Sequence, residues 1–529
     1  MPTNHPTSSS AVVTRRRFLE QLGLVGGTSL VMTAMNSWEL MAGQAQGRPQ
    51  LSGKPAKNKV IVLGAGVSGL VTAYELGKLG YDVRVVEARD RGGGLNWTVR
   101  KGTEHTEIGG GEKQVCGFDE GLYVNVGPWR IPYTHTGVLG YCREVGVPVE
   151  LFINEAENSF FFYEGEQYGA MAGKRLRLRE VKADMLGHVN ELLVKAIDQN
   201  KLDMPMTAED KDRFVKFLVS EGYLDATTKA YKAIGESGRQ AYDTNALLKA
   251  GIGNRFRSVP LTDGTAAAPI FQPIGGMDQF PRGLARAIGA QKISLGIEVI
   301  SVRQDAAGAK VAILDTKTGK KSELTADFVA VCLPLPIIAK LDIAFSPEMM
   351  AATKAVATSN SAKMGLQTKR RFWEEDDQIF GGHLYSDLPL GEFSYPSNDY
   401  FSKKGVLLGL YSNGPVGDLL DRPVKDRIEH VLTHASKVHP QIRAEYETAY
   451  CTFWEKTSYS LGAFASGGGG AADRLAVLGK PDNRVYLGCG AVSGNGGWQE
   501  GAVTAAWKQV KQLHERVMST QTQPSSARA

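Results

Sequence analysis

Residues Lys59–Glu87 read KVIVLGAGVSGLVTAYELGKLGYDVRVVE, and no other stretch restricts the fold as much. Val60–Leu63 is a short apolar run of the kind that fills a buried parallel strand. Gly64, Gly66 and Gly69 follow it as G-x-G-x-x-G. Ser68–Leu79 then carries helical apolar spacing at Leu70, Val71, Tyr74, Leu76 and Leu79. Gly80 ends that helix, and Asp82–Val86 alternates into a second strand that finishes on Glu87. The result is a complete β-α-β unit with an acid at the tip of its second strand.

Each residue type has a physical task. Gly64 permits the tight turn, Gly66 lets backbone approach a pyrophosphate, and Gly69 lets the helix lie close to the strand. Ser68 stands at the helix start, where N–H groups and a partial positive charge face the phosphates. Glu87 can accept hydrogen bonds from both ribose hydroxyls and would repel a 2′-phosphate. The unit is therefore a dinucleotide site for FAD or NAD rather than NADP.

The 529 residues predict two or three structural units. Hydrophobic content of 42% with 22% charged residues describes a globular chain with a large core. A net charge of +5 is spread over the whole length, with no basic-aromatic stripe, which argues against a nucleic-acid partner. The cysteines at 116, 142, 332, 451 and 489 are scattered, without C-x-x-C or metal-ligand spacing. Neither a disulfide framework nor a metal site is expected.

Near the N-terminus, Thr14-Arg15-Arg16-Arg17-Phe18-Leu19 precedes the mildly apolar stretch Leu22–Met35. Paired arginines before Phe-Leu resemble a twin-arginine export signal. Gly23, Gly26, Gly27, Asn36 and Glu39 interrupt any fully apolar span, so no stable membrane span is expected. The resemblance implies the twin-arginine machinery as a partner, export of the folded chain, and a periplasmic or secreted location.

Beyond Glu87 the chain reads Ala88-Arg89-Asp90-Arg91-Gly92-Gly93-Gly94-Leu95. Together with Gly127-Pro128-Trp129-Arg130-Ile131-Pro132, Gly275-Gly276-Met277-Asp278-Gln279-Phe280-Pro281 and Gly496-Gly497-Trp498-Gln499-Glu500-Gly501-Ala502, it resembles the flavin amine oxidase family. Within that family the likeness is to the L-amino acid oxidases, and it spans roughly residues 57–517. In relatives the first segment is E-x-x-x-R-x-G-G-R, with the last arginine on the FAD pyrophosphate. Glu87, Ala88, Arg91, Gly93 and Gly94 match, while Leu95 stands in the arginine position.

The resemblance implies the remaining site residues. Arg130 corresponds to an arginine that forks onto the substrate carboxylate, and Trp129 and Arg130 also border the cofactor. A guanidinium suits that task because it offers parallel charge-assisted hydrogen bonds. His135 reads as structural. Val299, in the strand Ile297–Ile300, would meet the adenine edge through its backbone. Lys363 corresponds to a lysine that holds a water where oxygen reacts, and Tyr395 to a tyrosine at the carboxylate site. Gly497 would offer its carbonyl to the substrate amine, and Trp498 would wall the pocket. Gly490, Gly501 and Ala502 would bring backbone N–H groups to the flavin; relatives often carry a glutamate where Gly490 stands.

The fold class expected is α/β: a doubly wound, Rossmann-like FAD-binding domain, a mixed-sheet substrate domain and a helical insert. The segments are 1–45 (signal), 46–56 (linker), 57–117, 269–345 and 456–517 (FAD-binding), 118–165 and 346–455 (substrate domain), 166–268 (insert) and 518–529 (tail). Within them, helices are expected over Val138–Val149, Arg179–Asn200 and Thr207–Glu221. The last is opened by Thr207 with Asp210 three residues on. Strands are expected over Asn158–Glu164 and Thr325–Leu333. The implied activity is oxidative deamination of an L-amino acid by non-covalently bound FAD with molecular oxygen, giving a 2-oxo acid, ammonia and hydrogen peroxide. An L-amino acid 2-monooxygenase, an amine oxidase and a weakly flavinated exported binding protein are the alternatives. A homo-oligomer is compatible with the sequence, which does not fix the oligomeric state.

Overall fold

The run Val60–Leu63 is apolar on both faces because it lies in the middle of a parallel sheet. In the computed structural model that sheet has five strands, in the order Ile293–Leu295, Asp82–Glu87, Lys59–Leu63, Phe328–Val331 and Val485–Leu487. All four pairings are parallel. The helices Val67–Leu79 and Gln499–Thr522 pack on one face with Phe280 and Leu284, while Val302, Ile313 and Leu335 belong to the core on the other. Gly64 has φ +95°, a turn that L side chains rarely adopt. A Cβ at position 69 would lie 1.9 Å from the Gly64 carbonyl oxygen, so only glycine lets the helix approach this closely.

The structure describes residues 47–522, apart from 200–206, 221, 223, 234–238, 251–268, 414–416, 467–470 and 494. Residues 51–529 form one compact unit; of the other, residues 1–50, only 47–50 are described. The twin-arginine segment, its h-region and the C-terminal end of the tail lie outside the described residues. Among those described, no helix is long and apolar enough to cross a membrane, and no cluster of potential metal ligands occurs. All five cysteines are free and buried.

A second, mixed sheet has seven strands, ordered Leu176–Arg177, Phe160–Phe162, His383–Ser386, Phe393–Ser394, Gly405–Ser412, Ala362–Thr368 and Tyr446–Phe453. A smaller sheet pairs Ile131–Pro132 and Val149–Leu151 with Ile270–Pro273. The insert contributes the helices Leu178–Asp198, Ala208–Ser220 and Thr244–Lys249. Its second helix opens on a reciprocal cap: Thr207 Oγ1 accepts from Asp210 N at 3.1 Å, and Asp210 Oδ2 accepts from Thr207 N at 3.3 Å.

Two expected elements are corrected. The helix expected over Val138–Val149 spans Thr136–Glu144. Gly146 turns at φ +69°, Pro148 follows, and Val149 already belongs to a strand. The strand expected over Thr325–Leu333 is two strands of different sheets, Lys321–Ala326 and Phe328–Val331, broken at Asp327. An unbroken apolar run in sequence does not mark where a chain passes from one sheet to another.

Candidate active site

The carboxyl ends of the parallel strands open into a long cavity, as expected for a doubly wound sheet. Gly64, Gly66, Ser68, Glu87, Ala88, Gly93, Gly94 and Val299 line one part of it. Gly490, Gly497, Trp498 and Ala502 line another, and Lys363, Tyr411 and Trp454 a third. Glu87 is buried, and its carboxylate accepts from Ala65 N at 2.9 Å and Arg89 N at 3.0 Å. Those bonds hold it at the tip of its strand with lone pairs to spare for hydroxyl donors. A Cβ on Gly94 would sit 3.1 Å from the Gly66 Cα, so two bare backbones meet where a pyrophosphate would pass. Val299 lies beside a bulge, between Val299 and Ser301, that unpairs Ile300 from the neighbouring strand. This lining fits an adenine dinucleotide: bare backbone for phosphate, a carboxylate for ribose, and a helix N-terminus between them.

Leu95 also lines the cavity and supplies no cation. Two nearby arginines do not replace the missing one. Arg91 lies over the Trp97 ring at 4.3 Å and donates to Gly94 O at 2.9 Å, facing a separate opening of about 1150 Å³. Burial lowers its pKa to about 9. Arg100 forks onto Asp278, at 2.8 and 2.9 Å, and lines that same opening. Arg89 does reach the cavity but is held by Ser458 O at 2.6 Å and Ser460 Oγ at 2.7 Å.

Gly127 and Pro128 line the cavity, while Trp129 and Arg130 do not and lead into the strand Ile131–Pro132 of the smaller sheet. Arg130 Nη1 donates to Asn154 Oδ1 at 2.7 Å and faces His383 Nε2 at 3.4 Å. Among the described residues its Nη2 and Nε have no protein partner, so one edge of the guanidinium is open to a planar anion. Ser394 Oγ meets both Gly382 O, at 2.9 Å, and His383 Nδ1, at 2.8 Å. His383 Nε2 faces the donor Arg130 Nη1 at 3.4 Å and the acceptor Asn154 Oδ1 at 3.2 Å. Burial and the Arg130 charge push the His383 pKa well below its usual value, which keeps the ring neutral.

Lys363 pairs directly across the sheet with Tyr411. Its Nζ donates to Gly127 O at 2.7 Å and lies 3.9 Å from the centre of the Tyr411 ring and 5.1 Å from that of Trp129. The side chain is only 1% exposed, and burial lowers its pKa to about 7. An unfolded lysine keeps its proton to about pH 10.4. Between about pH 7 and 10 the unfolded chain therefore holds a proton that the folded chain has released, and this site makes the fold more stable as pH rises. The melting-temperature advantage of Lys363→Met over wild type, measured on flavin-free protein, is expected to be largest below pH 7 and to shrink toward pH 10. An advantage that does not change with pH would contradict the buried, titrating lysine.

Trp498 packs edge-on against His135, ring centres 4.9 Å apart, and burial lowers the His135 pKa to about 4. Glu500 accepts from Gly137 N at 2.8 Å and Val138 N at 2.9 Å, capping the helix that follows Arg130. This cap ties the Trp498 segment to the Arg130 segment. Gly501 does not line the cavity; a Cβ there would lie 2.1 Å from Asn495 O, so it permits the turn that presents Gly497 and Trp498.

Tyr395 is corrected. It is buried in the core of the mixed-sheet region, and its hydroxyl meets His439 Nε2 at 2.8 Å, whose other nitrogen faces Asp377 at 3.1 Å. Neighbouring residues of a strand face opposite sides, and it is Ser394 that faces the Arg130 side, through His383. Sequence reasoning missed His383, Asn154, Ser394 and Tyr411. None belongs to a spaced motif; Gly381-Gly382-His383 could have drawn notice only as a glycine-led approach to a histidine.

Residues 67–514 match a protein family described as flavin containing amine oxidoreductase. An L-amino-acid oxidase from Gloydius blomhoffii is 29% identical over 426 residues, covering 77% of this chain and 78% of the relative. One from Notechis scutatus scutatus is 27% identical, covering 77% of each chain. Among solved structures, a triple mutant of putrescine oxidase superposes with a TM-score of 0.59 at 20% identity, covering 87% of this chain and 99% of the other. Cyclohexylamine oxidase from Brevibacterium oxydans IH-35A gives 0.59 at 18% identity, covering 87% and 100%. These two structures share the fold of this chain.

Proposed function

Because the chain belongs to the flavin-containing amine oxidoreductase family, and is a flavin-dependent oxidoreductase on that ground, we propose that it oxidises L-amino acids with FAD as cofactor. The observation that carries this reading is Arg130, whose guanidinium is anchored at Nη1 by Asn154 and open at Nη2 and Nε. A simple amine gives such a group nothing to bind. Bound FAD would supply the two-electron acceptor for the hydride on the substrate Cα.

The chain's own groups orient the substrate and hold charge. Arg130 grips the carboxylate through two parallel N–H bonds. Neutral His383 leaves that cation unopposed by a second positive charge. The Gly497 carbonyl accepts a hydrogen bond from the amine, which reacts in its neutral form and needs no dedicated base. Trp498, Tyr411 and Trp454 exclude water from the reacting carbon. Lys363, held by Gly127 O, provides a cation where oxygen takes up electrons. Loss of hydride leaves an imino acid, which water hydrolyses to a 2-oxo acid and ammonia, and oxygen is reduced to hydrogen peroxide.

The test is the visible spectrum of the purified protein under anaerobic conditions. A flavin band that bleaches with a mixture of L-amino acids and stays oxidised with D-amino acids is the expected result. Bleaching by amines but not by L-amino acids would reject it. Formation of an amide instead of a 2-oxo acid under air would identify the 2-monooxygenase reaction.

A further inference from the structure

Glu392 is a carboxylate without a partner beside the Arg130 site. Its Oε2 is buried and has no hydrogen-bond partner among the described residues. The position is built rather than incidental. Glu392 N donates to Tyr411 O at 2.8 Å, fixing this residue to the strand that carries the Tyr411 ring. Gly391 makes room for that contact, since a Cβ there would lie 2.1 Å from Tyr411 O.

Glu392 lies between the Gly391–Tyr411 bridge and the strand Phe393–Ser394. Glu392 stands two residues before Ser394, and Ser394 faces His383 and through it Arg130. Glu392 is also the attractive charge acting on Lys363, and its own negative charge disfavours the phenolates of Tyr411 and Tyr385, two rings that Arg130 also reaches. Yet Lys363 Nζ donates to Gly127 O, not to this carboxylate. A half-buried carboxylate with one oxygen sealed from water and unpaired is costly, so its natural complement is a cation that arrives from outside.

We propose that Glu392 receives the side-chain cation of the substrate, making L-amino acids with a basic side chain, such as L-lysine, L-ornithine or L-arginine, the preferred class. This rests on the reading of Arg130 as the carboxylate site. Arg130 takes the α-carboxylate and Glu392 the far ammonium or guanidinium, with the aliphatic stem spanning the distance along the sheet between them. The two charges of opposite sign select a substrate that is itself charged at both ends.

The experiment compares kcat/KM for L-lysine with that for L-norleucine, which keeps the carbon chain and lacks the ammonium. Wild type is expected to favour L-lysine by about tenfold or more, the difference between a charge-assisted hydrogen bond and none. Glu392→Gln is expected to lower the L-lysine to L-norleucine ratio by about tenfold, and Glu392→Lys to shift preference toward L-glutamate. A wild-type enzyme that oxidises L-norleucine as well as L-lysine would overturn this inference while leaving the L-amino acid reading intact. An unchanged ratio in Glu392→Gln would overturn it too, since a mere counter-charge to Lys363 would alter both substrates equally. If no L-amino acid reduces the flavin, the reading of Arg130 falls and this inference with it.

Discussion

Replacing Arg130 by alanine is expected to lower kcat/KM for L-amino acids by about a thousandfold, roughly 4 kcal/mol, with the flavin spectrum retained. The size follows from what is lost. The substrate carboxylate would enter a half-closed site with no cation to meet it, while Asn154 Oδ1 would lose its donor. Arg130→Lys is expected to recover only part of the loss, because an ammonium cannot make two parallel bonds to one carboxylate. The decarboxylated amine of the same substrate, poor in wild type, should be no worse with Arg130→Ala. That contrast distinguishes recognition from general damage. Near-normal activity with Arg130→Ala would mean that the arginine serves only to hold Asn154 and His383 in place, and the amino acid reading would lose its main support.

Gly127→Ala is expected to cost more than about 4 kcal/mol and to yield protein that is insoluble or free of flavin. A Cβ at this position would lie 1.6 Å from the carbonyl oxygen of Leu95, and the obstacle is backbone that cannot rotate aside. Two loops would be forced apart: the one that follows Glu87 and the one that leads to Arg130. The same shift would move Gly127 O away from Lys363 Nζ, leaving a buried ammonium without its acceptor. Flavin content and melting temperature of the purified variant check this. A soluble variant with full flavin and an unchanged melting point would show that these loops yield more readily than their packing indicates. Alanine at Gly140, where a Cβ meets nothing within 4 Å, is the matched control.

Local sequence carries what depends on local chemistry. The β-α-β unit is legible because strand, turn and helix each leave a mark within a few residues, and Glu87 follows at a fixed chain distance. The Thr207–Asp210 cap is legible for the same reason. The helix after Arg130 is shorter than its apolar spacing suggests, because Gly146 turns the chain and Pro148 cannot continue a helix. Leu95 could be recognised as a missing cation, but whether Arg91 or Arg100 takes its place depended on where Trp97 and Asp278 lie.

The sequence by itself determined the dinucleotide-binding unit, the position of Arg130 in its Gly-Pro loop, and the placing of Lys363, Gly497 and Trp498 on segments that reach one cavity. These are short motifs, each marked within a few residues of chain. Tertiary structure alone decided which face of a strand meets the substrate. A shift of one residue exchanges the two faces of a sheet, so Tyr395 turns into the core with His439 while Ser394 turns toward His383 and Arg130. It also decided that Glu392 Oε2 is sealed from water without a hydrogen-bond partner among the described residues, since a carboxylate's neighbours come from segments far apart in the chain and no spacing within one segment records them.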